Sequence, residues 1–332
     1  MKHLLTPILA LSVLFGLSSC NFLKSENNTI SGKQGDVLVV INKDYWDSSL
    51  GQVIRDSLTS EYPMLPQVEP YFNLSYVTHQ GFSTIFQTHR NILNVDINSK
   101  NLNTVNYRKN IWAKPQCIVD LKAKSYDDAI TLFKENASDI IKVIEDSERD
   151  RIISNNIEYP SSDIENKTEK LFGGSPNIPK GAKIFKQTDD FMWIATCNTD
   201  FIKQYIFIYK YPVENGKNMM SRESIIKNNE KATLNIPVGQ DNAYMTYSKY
   251  IEPSLEYIKY NNKDVAEMRG LWEVGNDYYM GGPFICHTLQ SPDGEYMIQI
   301  EGFVYAPKYD KIQYMREVEA IVYSFNWAQS AN

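Results

Sequence analysis

Three stretches in the second half of the chain carry side chains that could grip an anion or move a proton. In VAEMRGLWEV, strand alternation puts Glu267, Arg269, Leu271 and Glu273 on one face, with Ala266, Met268, Gly270, Trp272 and Val274 on the other. In PFICHTL, His287 falls out of phase with Phe284 and Cys286. In EYMIQIEGFVYA, Gln299 and Glu301 fall out of phase with Ile298 and Ile300. If the three strands are neighbours, these polar residues share one face. Arg269 then holds a carboxylate or phosphate in its planar fork, and His287 and a glutamate exchange a proton. The plainer expectation is a solvated, charged sheet face, with Arg269 between Glu267 and Glu273 in an exposed ion network of little energetic weight. The loop GNDYYMGGP sets Tyr278 and Tyr279 at its tip, where two glycines let the backbone approach a partner. Tyrosines packed on the sheet edge of a hairpin are the simpler alternative.

Nothing else in the chain supplies chemistry. There is no P-loop, no GxGxxG after a strand, no HExxH and no GxSxG. No residue is assigned as catalytic, no metal site is expected and no cofactor is implied. Beyond His3, the histidines are His79, His89 and His287, and the first two are expected at the surface or satisfied by neighbours. Cys117, Cys197 and Cys286 lie far apart, without a CxxC or a Cys/His spacing that suits zinc. Cys117 alternates with Val119 and Leu121, and Cys197 with Trp193 and Ala195. These are core positions, where cysteine acts as a small hydrophobe. The sequence leaves open whether two of the three form a disulfide.

The elements that must position these residues fall into two groups. DVLVVIN reads as a strand buried on both faces. Leu50, Val53, Ile54 and Leu58 then repeat at helical spacing, with Asp47 or Ser48 as cap and Pro63 and Pro66 beyond the end. YFNLSYV, RNILNVDI and PQCIVDLKA are expected strands, with a short helix around 82–88. Ser125 followed by Asp127 and Asp128 opens a long helix, whose stripe is Ala129, Ile130, Phe133, Ala137, Ile140, Ile141 and Ile144. Pro160, Pro176, Pro179 and three glycines mark residues 155–181 as the boundary. FMWIATCN and QYIFIYKY follow as strands, then a helix over 221–231, then LEYIKYN and the three strands above. SPDGEY reads as a hairpin turn. A final helix carries Ile312, Met315, Val318, Ile321, Val322 and Phe325. The expected fold is α+β in two domains, an N-terminal α/β domain over 36–154 and a C-terminal α+β domain over 182–332. Their mixed or antiparallel sheets carry helices on one face.

The start of the chain gives an address. Lys2 and His3 precede an apolar run from Leu4 to Leu17, which suits a signal-peptide core and is short for a membrane span. Leu17-Ser18-Ser19-Cys20 looks like a bacterial lipobox, so residues 1–19 are expected to be removed and Cys20 acylated. Two or three acyl chains hold a protein stably on a membrane, at about 0.8 kcal/mol per buried methylene. Residues 20–35 are polar and read as a tether. Asn21 lacks the aspartate associated with inner-membrane retention, which points to the outer membrane and its periplasmic face. Net charge is -6 at pH 7 with a pI of about 5.4, so nucleic acid is a poor partner.

The order of lipobox, tether, GDVLVVINKDYW, LPQVEPYFNLSYV, HRNILNVDI, NIWAKPQ, MRGLWEV, YMGGPF and MREVEAIVYSF resembles the domain-of-unknown-function family 4837, lipoproteins of Bacteroidota. The resemblance runs over nearly the whole mature chain. It implies an envelope lipoprotein with no assigned activity and no catalytic residues to carry over. Three functions follow as expectations. The first is a non-catalytic, lipid-anchored binding or assembly module with an envelope protein partner. The second is a small-ligand protein or hydrolase using Glu267, Arg269, His287 and Glu301. The third is a mainly structural envelope protein.

Overall fold

The computed structural model describes residues 28–236, 243–276 and 280–328. Cys20, Tyr278 and Tyr279 lie outside the described residues. The chain folds as two α+β domains built on separate sheets.

The first domain contains β1 (Asp36–Val40), α1 (Lys43–Trp46), α2 (Ser49–Leu58), β2 (Asn73–Val77), α3 (Thr84–Gln87), β3 (Asn91–Ile97), β4 (Thr104–Lys109), β5 (Cys117–Ala123) and α4 (Tyr126–Glu158). Its sheet order is β2-β1-β3-β5-β4, parallel except for β4. β1 is buried on both faces, as its unbroken apolar run requires. Val37 and Val39 pack with Leu93, Val95, Val119 and Leu121 under α2 and α4. Leu38 and Val40 pack with Ile92 and Ile118 under Phe82 and Trp112. The Ser48 hydroxyl accepts the Leu50 amide at the head of α2, and the Ser125 hydroxyl accepts the Asp128 amide at the head of α4. Ala129, Phe133, Ile140 and Ile144 carry the buried stripe of α4, with Ile130, Ala137 and Ile141 half-buried beside them.

The second domain adds α5 (Ser162–Phe172), β6 (Gly174–Ser175), β7 (Lys183–Gln187), β8 (Phe191–Asn198), β9 (Lys203–Pro212), α6 (Arg222–Thr233), β10 (Tyr244–Tyr247), β11 (Ser254–Tyr260), β12 (Lys263–Gly275), β13 (Gly281–Gln290), β14 (Tyr296–Tyr305), α7 (Ile312–Tyr323) and β15 (Asn326–Trp327). The antiparallel sheet runs β10-β12-β13-β14-β9-β8-β7, and β11 pairs with the first half of β12. One face packs on α5 and α7 through Ile208, Ile285, Ile300, Val318 and Val322. Gly302 permits the close approach of α7, since a Cβ there would lie 2.9 Å from Val318 Cβ. The other face packs on α6 through Phe207, Met268, Phe284, Phe303 and Ile225. Helices therefore cover both faces of this sheet, not one.

One further expectation changes, and the open question of a disulfide is answered. Residues 155–181 were expected as a linker, but α4 runs on to Glu158 and α5 fills much of the remainder. Ile164, Phe172 and Ile178 sit in the core of the second sheet. The prolines and glycines flank α5 rather than interrupt it, and Gly173 ends it in the left-handed region. Cys117 and Cys286 are buried free thiols, and Cys197 is a half-buried one beside a β-bulge. Among the described residues no helix is long and apolar enough to cross a membrane.

Phe133 is fully buried in the first core. Phe133→Ala is expected to cost about 3–5 kcal/mol by leaving a cavity. Urea unfolding of the purified variant checks this, and an unchanged midpoint would contradict the packing described.

Candidate functional site

α7 carries two stripes. Met315, Val318 and Val322 face the sheet, while Arg316, Glu319 and Tyr323 face the first domain and are each no more than 8% exposed. The second half of α4 meets this polar stripe with Glu145 and Arg149. α7 has no side-chain cap of its own. Glu69 of the first domain supplies one, accepting the backbone N–H groups of Lys311 and Ile312 at 2.8 Å.

The register of β12 against β13 sets Glu267 opposite His287 and Arg269 opposite Ile285. Arg269 donates from Nε to Glu267 Oε1 at 2.7 Å, and its two terminal nitrogens hold both Glu319 oxygens at 2.9 and 3.1 Å. Glu319 also accepts from Arg149 at 3.0 Å and from the Tyr62 hydroxyl at 2.7 Å. Glu267 Oε2 accepts the Tyr323 hydroxyl at 2.6 Å and the His287 Nε2–H at 2.8 Å. The Arg149 guanidinium lies 3.8 Å over the Tyr323 ring. Arg316 pairs with Glu145 and donates to the Tyr71 carbonyl.

Electrostatics follow from these contacts. Burial alone would raise Glu267, but the Arg269 charge and the His287 bond outweigh it and hold it well below the carboxylate range. Burial also opposes ionisation of Glu319, yet Arg269 and Arg149 bring it down to about 2. Burial lowers His287, against a smaller opposing pull from Glu267, so the ring is neutral and donates from Nε2. The network binds its own charges: both carboxylates and the Arg269 fork are fully engaged. Beside it lies a groove of about 590 Å³ between the domains. Ser254, Glu256, Ile258 and Tyr260 of β11 form one wall, Ile141, Lys142 and Glu145 of α4 the other, and Glu267, Arg269 and Glu319 lie at its base.

The residues singled out in the sequence separate here. Glu267, Arg269 and His287 come together, but in a buried network rather than on an exposed face. Glu273 is half-buried further along β12, opposite Gly281 and Thr246, and Glu319 takes its expected place beside Arg269. Glu301 is on the other face altogether. The β13–β14 pairing sets His287 opposite Ile300 and Glu301 opposite Cys286, so one step of register removes it from the cluster. It sits under α6, accepting from Asn229 Nδ2 at 2.5 Å and the Tyr247 hydroxyl at 3.0 Å. Burial pushes it up to about 8. A hydrolase built on all four side chains is therefore excluded by geometry. Sequence reading missed Tyr62, Arg149, Glu319 and Tyr323. Arg316, Glu319 and Tyr323 repeat at helical spacing, which was the available signal. Among the described residues no three His, Cys, Asp or Glu side chains converge on a cation site.

Glu319→Gln leaves Arg269 and Arg149 buried with less than their counter-charge. It is expected to cost about 3–5 kcal/mol and to expose the domain junction to limited proteolysis; wild-type stability and cleavage would contradict it. Glu301 behaves oppositely with pH. Its folded-state value lies above the ordinary 4.5, so its contribution is complete below pH 4.5 and is lost as pH rises through about 8. Glu301→Gln should flatten that loss, and its thermal midpoint should exceed the wild-type midpoint at pH 9 but not at pH 5. Parallel curves across this range would count against a neutral Glu301.

Residues 161–324 match the family described as Domain of unknown function (DUF4837), and residues 30–156 match Domain of unknown function (DUF8532). MRGLWEV, YMGGPF and MREVEAIVYSF fall mainly or wholly in the first match, and GDVLVVINKDYW, HRNILNVDI and NIWAKPQ in the second. None of the curated proteins matches the chain. A crystal structure from Bacteroides thetaiotaomicron VPI-5482 is similar over 48% of this chain and 47% of its own, at 10% identity and a TM-score of 0.28. The match thus spans less than half of that chain and carries no argument. Through its second domain the chain belongs to the family Domain of unknown function (DUF4837), with a DUF8532 domain ahead of it.

Proposed function

We propose that the protein is a lipid-anchored, non-catalytic binding or assembly module of the cell envelope. It is tethered through acyl chains on Cys20 to the outer membrane and faces the periplasm. The observation that carries this reading is the saturation of the Glu267–Arg269–Glu319 network next to an open groove. Groups that could attack or protonate a substrate are engaged with one another, whereas the groove has room for a segment of another protein.

The wall formed by β11 suits an extended segment. Among the described residues β11 pairs with β12 alone, so its other edge offers backbone donors and acceptors. Strand addition at such an edge draws affinity from main-chain bonds and specificity from alternate side chains. Ile258 and Tyr260 supply apolar contacts, while Glu256, Lys142 and Lys259 supply charge of both signs. The partner proposed is an envelope protein with an exposed extended segment.

Crosslinking and capture from native membranes, with Cys20→Ser and Ile258→Lys variants, tests the reading. Wild-type protein should retain a specific envelope partner. Cys20→Ser should leave the membrane fraction, and Ile258→Lys should lose the partner at some cost in thermal midpoint, since Ile258 packs on the second core; Glu256→Lys, at an exposed position of the same wall, should weaken capture while keeping the midpoint. Full membrane retention of Cys20→Ser would overturn the anchor. Partner capture unaffected by Ile258→Lys would overturn the groove.

A further inference from the structure

Asn28 follows Cys20 by eight residues, and hydrogen bonds fix where the chain enters the first domain. The entering segment lies between two others. The Asn28 carbonyl accepts the Lys114 amide at 3.0 Å, and the Asn28 side chain donates to the Trp112 carbonyl at 3.3 Å. On the other side the Ser31 amide donates to the Thr88 carbonyl at 2.8 Å, and the Ser31 carbonyl accepts the Arg90 amide at 3.0 Å. The two flanks also meet each other, since the Phe82 and Trp112 rings pack edge to face at 5.4 Å. Both rings cover the sheet face that carries Ile92 and Ile118, opposite the face under α4.

Around this entry point apolar side chains are left in water. Ile85 and Phe86 of α3 are 76% and 38% exposed, and Ile111, on the loop after β4, is 37% exposed. Their backbone is held in place. The Thr88 hydroxyl donates to the Ile85 carbonyl at 3.1 Å. On either side of Ile111, Asn110 Oδ1 accepts the Gln116 amide at 2.9 Å and Gln116 Oε1 accepts the Trp112 amide at 3.1 Å. Exposed Lys33 and Lys114 stand beside the cluster. The chain carries a net charge of -6, yet residues 78–95 and 97–119 contain no Asp or Glu. Apolar side chains next to lysines suit the headgroup region of an anionic bilayer.

The reach of the chain selects this occupant. Eight residues span at most roughly 28 Å when fully extended. A compact domain of this size is about 35 Å across, so an anchor on Cys20 keeps the entry face, rather than the α4 face, near the membrane. We infer that this face of the first domain docks on the phospholipid surface that holds Cys20, with Ile85, Phe86 and Ile111 among the headgroups and Lys33 and Lys114 on their phosphates. The inference rests on the acylation of Cys20 proposed above. Its consequence is orientation. α4 lies on the other side of the first sheet, so the groove it walls with β11 is turned away from the bilayer and open to a partner.

The test uses acylated protein purified from native membranes and reconstituted into vesicles of phosphatidylethanolamine and phosphatidylglycerol. An environment-sensitive fluorophore is placed at Ile85→Cys or, as control, at Lys142→Cys on α4, each with Cys197→Ala. Lipid bearing a nitroxide on its headgroup should quench the label at position 85 roughly threefold more than the label at 142, as expected for a side chain at the interface. Adding Ile111→Glu and Lys114→Glu should remove about half of that quenching by opposing the anionic surface. Equal quenching at the two positions, with the protein still on the vesicles, would overturn the docking face and leave the anchor standing. So would a label at 85 that is shielded in native membranes but not in pure lipid, which would assign the cluster to a protein. A mature protein whose Cys20 is unmodified by mass spectrometry would overturn the anchor, and the inference with it.

Discussion

The two-pronged contact between Arg269 and Glu319 governs the relation of everything around it. One partner stands on a central strand of the second sheet and the other on the last helix. Arg149, from the long helix of the first domain, completes the pair. A buried ion pair gains little over a well-packed apolar pair, but breaking it leaves a charge with nowhere to go. The domains therefore have one arrangement that satisfies all three charges. Their hydrophobic cores touch, since Tyr62 and Leu65 of the first domain pack into the second core and Tyr71 packs on both, and beside these contacts the junction is polar. Such a junction contributes selectivity of docking more than bulk stability.

The same logic explains the length of α4. Its first half is an ordinary amphipathic helix, and Ala129, Phe133, Ile140 and Ile144 would hold it on the first sheet by themselves. The second half delivers Glu145 and Arg149 to the neighbour, while Glu148 stays with Arg90 and Arg151 of its own domain. On one side of it the charges cancel and the groups are consumed. On the other, two arginines share one acid. A single helix thus carries charges that are paired both across the junction and within its own domain.

Much of this architecture was legible because it rests on local rules. Ser48 and Ser125 announce their helices, the alternation of β12 to β14 is plain, and the apolar run of β1 requires cover on both faces. What stayed hidden depends on partners distant in sequence. The stripe Arg316, Glu319, Tyr323 looks like the wet side of a helix until α4 is laid against it. Glu301 and His287 have the same phase within their own strands relative to their apolar neighbours, but a one-residue step in pairing sends them to opposite faces. β4, with its polar TVNYRK, lacks the apolar periodicity that marks the other elements; α5 carries Ile164, Thr168 and Phe172 at helical spacing, but the prolines and glycines that frame it read as a boundary. The family match adds a boundary between the domains but no chemistry.

Glu69 gives the order of events a direction. It lies in the first domain, yet it closes the open amides at the head of α7, near the very end of the chain. A chain grown from its amino terminus completes the first domain while the last helix is still unmade. When α7 emerges, its missing cap already waits on a folded surface. The earlier domain then acts as a template for the later one, and assembly of the molecule is ordered in time as well as in space.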